Sequence, residues 1–318
     1  MGVDTELHKV LFDNKSVIVI LGPTASGKTG TAVELNKLLD IEVISADSRQ
    51  IYKHLSIGTA KPDEEELSGV RHHLVDFLDP SIEYSAGQFE KDAEEVALNI
   101  FSKNKIPAIV GGSGLYIQAF CEGLFNDSSN KNIEIRNKIE SRFKEEGIDT
   151  LYQELLEHDP ELASKYLDKN PRRVTRALEY FYTTGVPLSK AHKLFNKNKK
   201  IKCIKFGIEI HRDELYDKIN RRAELMWENG LIDETKNILG MGYSSTLNSL
   251  NTVGYKECIA YLNGDLSADE ALEKMKTNTR RYAKRQITWF KRFKDIVWLY
   301  GNSSQIAEQI LARLEVNK

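Results

Sequence analysis

Cysteine is scarce in this chain: Cys121, Cys203 and Cys258 are the only three in 318 residues, far apart and without C-x-x-C spacing. That excludes a disulfide framework and a zinc finger as organising devices. Long apolar runs are missing as well. The longest, Val17 to Leu21, is far too short to cross a bilayer. Met1 to Asn14 carries Asp4, Glu6 and Asp13 and no hydrophobic segment of the kind that directs secretion. No internal repeat or low-complexity tract is evident, and the net charge of −2 gives no overall basicity to recruit a polyanion. What is present, 41% hydrophobic and 29% charged residues, fits an ordinary soluble globular protein. The length suffices for one large domain or two modest ones. A cytoplasmic enzyme, monomeric and without membrane contact, is expected.

The charge is unevenly placed. Lys190 to Lys205 holds seven lysines and no acid, and Arg280 to Lys294 holds seven basic residues and no acid. A charge run is most often a solvated face. Two such runs on one chain keep a polyanionic partner open.

Gly22-Pro23-Thr24-Ala25-Ser26-Gly27-Lys28-Thr29 fills every fixed position of the phosphate-loop pattern G-x-x-x-x-G-K-[ST]. Ser16 to Leu21 before it reads as a buried strand, and Thr31 to Leu39 after it as an amphipathic helix. In that setting the glycines let backbone N–H groups turn inward around phosphate oxygens. Lys28 adds a point charge and the Thr29 hydroxyl a ligand for Mg²⁺. A ligand with at least two phosphates is expected at Thr24 to Thr29, helped by the helix dipole.

Strand and helix alternate through the first third: Val17–Leu21, Ile41–Ala46 and Ile106–Val110 as strands, with a helix over Ser85–Lys103. This βα alternation predicts a parallel sheet with ligands at the carboxyl ends of its strands. Between Asn130 and Lys200 only charged helical segments are found, one starting at Pro171 and ending near Gly185. Strand character returns at Ile204–Ile210. Helices are predicted from Asp213 to Leu239 and from Ala268 to Phe293, then a strand over Ile296–Tyr300. The fold class expected is α/β. Residues 1–121 and 201–318 make a P-loop NTPase-like parallel-sheet core, and residues 122–200 a helical insertion acting as a lid or substrate arm.

Asp47 ends the second strand beside the loop, where it can act as general base, hold Mg²⁺ through water, or simply cap the next turn. No Walker-B element (four apolar residues ending in Asp) closes the strand Ile106–Val110. It runs into Gly111-Gly112-Ser113-Gly114 instead, which weakens an ATPase reading and suits a diphosphate bound as leaving group. Arg172, Arg173 and Arg176 fall on one flank of the Pro171 helix, suited to a phosphate backbone or to solvent. His72-His73 resembles a metal pair only superficially, since adjacent strand residues point to opposite faces. Tyr282, Gln286, Trp289 and Phe293 form one stripe that reads as core more readily than as a base-stacking platform.

Taken together, the phosphate loop, Asp-Ser-Arg-Gln-Ile-Tyr (47–52), Ile-Gly-Thr-Ala-Lys-Pro (57–62), His-His-Leu-Val-Asp (72–76) and Tyr-Ser-Ala-Gly-Gln-Phe (84–89) resemble the tRNA dimethylallyltransferase family. So do Val-Gly-Gly-Ser-Gly-Leu-Tyr (110–116), Arg-Arg-Val-Thr-Arg-Ala-Leu-Glu (172–179), Val-Gly-Tyr-Lys-Glu (253–257) and the block at 279–290. The likeness spans about residues 16 to 300. It implies transfer of a dimethylallyl group from dimethylallyl diphosphate to N6 of adenosine 37 in the tRNA anticodon stem-loop, with Mg²⁺ required and diphosphate released. By position it implies Asp47 as general base, Gly22 to Thr29 as the diphosphate cradle, and Thr29, Ser113 and Arg136 as further catalytic positions. Ser113 stands where bacterial relatives often carry Thr and keeps the hydroxyl. It also implies tRNA contacts at Asp47, Ser48, Arg49 and Gln50, at Arg172, Arg173, Val174, Thr175 and Arg176, at Thr252, Gly254 and Tyr255, and at Arg281, Lys284 and Arg285. The zinc finger of some eukaryotic relatives is absent, which favours the bacterial form. Three other readings stay open on the residues alone: a P-loop small-molecule kinase, an isopentenyltransferase acting on free adenine nucleotides, and a non-catalytic RNA-binding module.

Overall fold

The structure, a computed structural model, describes residues 5–124, 132–194 and 201–316. Lys197, Lys199 and Lys200 of the lysine run, and Asp4 of the amino-terminal stretch, lie outside the described residues. The chain divides into two compact units, Met1–Glu122 with Lys199–Lys318, and Gly123–Asn198.

The first unit opens with α1 (Thr5–Asp13), β1 (Ser16–Leu21), α2 (Lys28–Asn36), β2 (Ile41–Ala46), α3 (Glu64–Gly69) and β3 (His72–His73). It continues with α4 (Ala86–Ser102), β4 (Ile106–Gly111) and α5 (Gly114–Glu122). The second unit holds α6 (Ile133–His158), α7 (Pro160–Ala163), α8 (Pro171–Thr184) and α9 (Leu188–Leu194), with no strand among its described residues. The chain then returns through β5 (Lys202–Ile208), α10 (Arg212–Glu228), α11 (Leu231–Gly240), α12 (Tyr255–Leu262), α13 (Ala268–Phe290), β6 (Ile296–Leu299) and α14 (Ser303–Val316).

The six strands form one parallel sheet in the order β3-β2-β4-β1-β5-β6, an α/β core of P-loop NTPase-like kind. β1, β2 and β4 are buried along their whole length, as expected of parallel strands covered by helices on both faces. Ile18 and Ile20 are wholly buried in the main core, each burial being worth about 1.5–3 kcal/mol. Register pairs Leu21 with Gly111 and Ala46 with Gly111, so the strand ends that precede the phosphate loop, Asp47 and Ser113 lie side by side.

In the second unit Asn170 caps α8 by accepting from Arg173 N at 3.3 Å, Pro171 occupies its first turn, and Gly185 ends it at φ 70°. Val174, Ala177 and Leu178 turn into that unit's own core. Several predicted elements differ: α13 ends at Phe290 rather than Phe293, and β5 spans Lys202–Ile208 rather than Ile204–Ile210. The helix expected from Asp213 to Leu239 is broken at Gly230, whose φ of 97° no continuing helix permits. The helix after the phosphate loop starts at Lys28, inside the motif, rather than at Thr31.

Candidate active site

The phosphate loop is bent by two left-handed residues, Ala25 at φ 62° and Gly27 at φ 88°. Gly27 takes this conformation without strain, whereas Ala25 costs roughly 1–2 kcal/mol there. The bend delivers the chain straight into α2, so the amides of Lys28, Thr29 and Gly30 are first-turn donors without intrahelical partners. They sit at the positive end of the helix, the natural place for an anion. Lys28 Nζ donates to Pro23 O at 2.7 Å. Burial, then the neighbouring Arg222, push the Lys28 ammonium down to about 8, with Asp47 opposing them.

Thr24 braces the loop. Its N–H donates to Gln286 Oε1 at 2.9 Å, and its Oγ1 accepts from Arg222 Nη1 at 3.3 Å. Thr24's amide is therefore engaged within the protein, and the anion donors expected over Thr24 to Thr29 reduce to those further along the loop.

A cleft of about 550 Å³ opens over this loop, lined by Lys28, Thr29 and Asp47 and, from α10, by Lys218, Arg221 and Arg222. A second cavity of about 280 Å³ is lined by Arg49, Asn251, Thr252 and Arg285 together with Ile219, Met226 and Met275. The two share one wall: Thr24, Ala25, Asp47, Thr59, Arg222 and Tyr282. Asp47 Oδ1 accepts from Arg49 N at 2.8 Å and Gln50 N at 3.4 Å, so the carboxylate does cap the turn that follows while also facing both cavities. Ser113 Oγ accepts from Ser48 N at 3.0 Å, and Ser113 N donates to Ala46 O at 3.0 Å, which pins the Asp47 segment to the end of β4. Burial, and then the charge of Asp47, push the Tyr282 phenol above its usual range.

The segment leading into Thr59 of the shared wall is held by a carboxylate. Glu234 accepts from Ser56 N (3.0 Å), Ile57 N (2.9 Å) and Gly58 N (3.1 Å), and from Tyr255 Oη at 2.5 Å. Gln50 Nε2 meets the same segment by donating to Ala60 O at 2.8 Å. The site thus offers a nest of cations at one end, a fixed carboxylate at the shared wall and a mixed polar and apolar chamber beyond. That arrangement can draw off the charge of a phosphate leaving group while a proton is removed a short way along.

Comparison with known proteins bears on which reaction this is. The profile of the family described as IPP transferase matches residues 50–293. The chain belongs to this family. The tRNA dimethylallyltransferase of Acetivibrio thermocellus is 42% identical over 301 residues, covering 94% of this chain and 96% of that protein. That of Alkaliphilus oremlandii is 41% identical, with 93% and 96% covered. Among solved structures, the full-length tRNA isopentenylpyrophosphate transferase from Bacillus halodurans superposes with a TM-score of 0.70 at 37% identity, covering 95% of this chain and 97% of that one. A eukaryotic dimethylallyltransferase described as acting on tRNA gives a TM-score of 0.83 at 29% identity, with 96% and 80% covered.

In this member of the IPP transferase family the structure gathers Lys28, Thr29, Asp47, Arg49, Gln50, Thr252 and Arg285 around the two cavities. Gly22, Pro23 and Ser26 are buried within the loop. Arg281 and Lys284 are exposed on α13. Arg136 lies on α6 of the inserted unit, ion-paired with Glu140 at 3.1 Å. Arg172 is exposed on α8; Arg173 pairs with Asp168 at 3.5 Å and Arg176 with Glu179 at 3.3 Å. Thr175 spends its hydroxyl on Pro171 O at 2.8 Å.

Two expected RNA contacts are corrected. Val174 is fully buried in the inserted unit's core, and Tyr255 is fully buried with its hydroxyl given to Glu234, so neither side chain can touch RNA. Gly254, at φ 101°, caps α12 through its backbone N–H, which donates to Glu257 at 2.7 Å. His72 and His73 part ways as the strand geometry requires: His73 Nε2 bonds Glu42 at 2.7 Å, while His72 Nδ1 bonds Val70 O at 2.9 Å and lines the larger cleft. Sequence reasoning missed Arg222 and Glu234 altogether; Tyr282 and Gln286 belong to the stripe it read as core, and Gln286 is buried, but both also line the larger cleft.

Proposed function

We propose that this chain is a tRNA dimethylallyltransferase that moves the dimethylallyl group of dimethylallyl diphosphate onto N6 of adenosine 37 of tRNA, releasing diphosphate. The observation that carries the reading is the shared wall: the phosphate loop with Lys28 and Arg222 on one side, and Asp47 on the same wall facing the second cavity. A donor whose diphosphate rests on the loop presents its allylic carbon toward that wall. An adenine entering the second cavity, past Arg49 and Arg285, meets it there.

The allylic C–O bond breaks with its electron pair going to the diphosphate, whose growing charge Lys28, Arg222 and the first amides of α2 neutralise. N6 of adenine forms the new C–N bond and becomes acidic as it does so. Asp47, held by the Arg49 and Gln50 amides, takes the proton. General-base assistance of this kind is worth ~10² to 10⁴ in rate. Adenosine 37 must leave its stack to enter, at a cost of a few kcal/mol that contacts to the rest of the tRNA offset. Arg172, Arg173, Arg176, Arg281 and Lys284 are the side chains this reading assigns to such contacts, with Ser113 fixing the base segment.

Mg²⁺ fits the donor set. Thr29 and Asp47 bring hard oxygen ligands to one cleft. Thr29 would hold the ion together with diphosphate oxygens and water. When bound, it supplies further positive charge to the leaving group. The reading places a monomeric enzyme in the cytoplasm; no helix among the described residues is long and apolar enough to cross a membrane. Incubating the purified protein with unmodified tRNA and dimethylallyl diphosphate, then analysing nucleosides, should yield N6-dimethylallyladenosine. Product from free adenine nucleotides alone, or phosphate transfer from ATP, would sink the reading.

A further inference from the structure

We infer that Gln286 is a positioning residue: it locks the phosphate loop to the end of β4 and thereby sets the bound diphosphate against Asp47. The inference rests on the reading of the phosphate loop given above.

Gln286 is 6% exposed and uses both ends of its amide. Oε1 accepts from Thr24 N at 2.9 Å, and Nε2 donates to Gly112 O at 2.9 Å. These backbone groups belong to the loops that leave neighbouring strands, past the last register pair Leu21 with Gly111. No sheet hydrogen bond can join the two loops beyond that point, and Gln286 joins them instead. One residue further on, Ser113 bonds Ala46 O through its N–H and Ser48 N through its Oγ, with Asp47 between those two partners. A continuous path therefore runs from Thr24 through one glutamine and one serine to the segment carrying the base.

The chemistry of the position is specific. One backbone donor and one backbone acceptor must be met from a single buried site, which a primary amide does and a carboxylate does not. The approach is close enough to constrain the partner as well. A Cβ on Gly112 would lie 2.2 Å from Gln286 Nε2, so a larger residue there would push the amide away from Gly112 O, although the φ of Gly112 is not in the left-handed region. Neighbouring residues on the same face of α13 do related work: Tyr282 lines the wall shared by both cavities, and Trp289 packs where a Cβ on Gly114 would sit. Through Gln286, α13 fixes the distance between leaving group and base before either substrate arrives, the kind of preorganisation on which such catalysis depends.

A merely structural glutamine would lower the melting temperature and leave the folded enzyme's chemistry intact. A positioning glutamine changes the chemistry. The test uses Gln286→Met, Gly112→Ala and the double variant, each assayed for kcat, for affinity toward dimethylallyl diphosphate without tRNA, and for affinity toward tRNA. Each single variant is expected to lose on the order of tenfold in kcat and to bind the diphosphate more weakly, with tRNA affinity within about twofold of wild type. Because both changes break the same bridge, the double variant should be no worse than the more impaired single one. Gly112→Ala reads the bridge on its own if Gln286→Met does not fold. Wild-type kcat and diphosphate affinity in a folded variant, or losses that multiply in the double variant, would overturn the inference. Wild-type protein with no affinity for dimethylallyl diphosphate would overturn the phosphate-loop reading first, and the bridge with it.

Discussion

Arg222 Nη1 and Thr24 Oγ1 lie 3.3 Å apart, which sets a guanidinium from α10 against the lip of the phosphate loop. Burial depresses the guanidinium's pKa, with Asp47 and Glu66 opposing. A buried cation left with so little compensation fits a site that receives an anion. Arg222→Met should therefore weaken dimethylallyl diphosphate binding and slow transfer together, by roughly 10² or more overall. Arg222→Lys should recover only part, because an ammonium cannot reach Thr24 and a phosphate in the same fork geometry. Wild-type KM and kcat in Arg222→Met would confine the residue to bracing Thr24.

Asp47→Asn separates the two duties of that side chain. Asparagine keeps an oxygen for the Arg49 and Gln50 amides, so the turn should persist, but it cannot accept the N6 proton. Turnover should fall by roughly 10² or more with melting temperature and tRNA affinity unchanged. Near-normal turnover would remove Asp47 from the chemistry and leave it as a cap.

Glu234 holds the 56–58 segment through three backbone N–H groups and Tyr255. Hydrogen bonds to a charged acceptor are worth about 1.5–3 kcal/mol each, and their loss is not additive. Glu234→Ala should cost about 3 kcal/mol or more in denaturant unfolding, whereas Glu234→Gln, which keeps one acceptor oxygen, should cost less. Equal stability of the two variants would show that the charge, not the bonding, holds the 56–58 segment.

Much of the frame was legible in the sequence because its signals are local. β2 matches its predicted span residue for residue, and β1 and β4 match within one residue, since buried parallel strands are short continuous apolar runs. Pro171 and Gly185 mark the two ends of α8. The phosphate loop is declared by eight consecutive residues. Arg222 was not legible, because its approach to Thr24, 198 positions away, is set by where α10 packs. Tyr255 shows the converse: a motif marks a residue as constrained without saying whether RNA or Glu234 constrains it. Of the stripe Tyr282, Gln286, Trp289 and Phe293, the first three share a face of α13, which ends at Phe290 before Phe293 is reached; periodicity also cannot tell a face turned to the core from one turned to a cavity.

The α8 arginines make ion pairs at or near the surface, Arg173 with Asp168 and Arg176 with the half-buried Glu179, and Arg173 also lies over the Tyr166 ring at 5.7 Å. Such pairs contribute about 0–1 kcal/mol to stability, so replacing both arginines with Ala should leave the melting temperature nearly unchanged. If they neutralise tRNA phosphates, each lost contact should reduce the log–log slope of affinity against salt by about one unit or less. Diphosphate affinity should stay as in wild type. A double variant that binds tRNA as tightly as wild type, with the same salt slope, would move the RNA to another face.

Lys28 gives the site a pH dependence whose sign can be worked out. Its pKa in the free protein is about 8, below its ordinary value of 10.5. A bound diphosphate favours the charged ammonium and so raises that pKa. Below about pH 8 the lysine is charged in both free and bound protein, and affinity for dimethylallyl diphosphate should not vary through this group. Above pH 8 the free protein has lost the proton and binding must take one up, so affinity should fall with pH by at most about tenfold per unit. In the absence of ligand the same shift acts on stability in the opposite direction. Between pH 8 and 10.5 the unfolded chain holds a proton that the folded chain has released, so the Lys28 contribution to stability rises with pH across that window. Titration calorimetry without tRNA, repeated in buffers of different ionisation enthalpy, should detect the proton uptake near pH 9. Lys28→Met should bind more weakly at pH 7 and show neither the decline nor the uptake. A wild-type affinity that is flat from pH 7 to 9.5, with no proton taken up, would show that the ammonium does not meet the diphosphate.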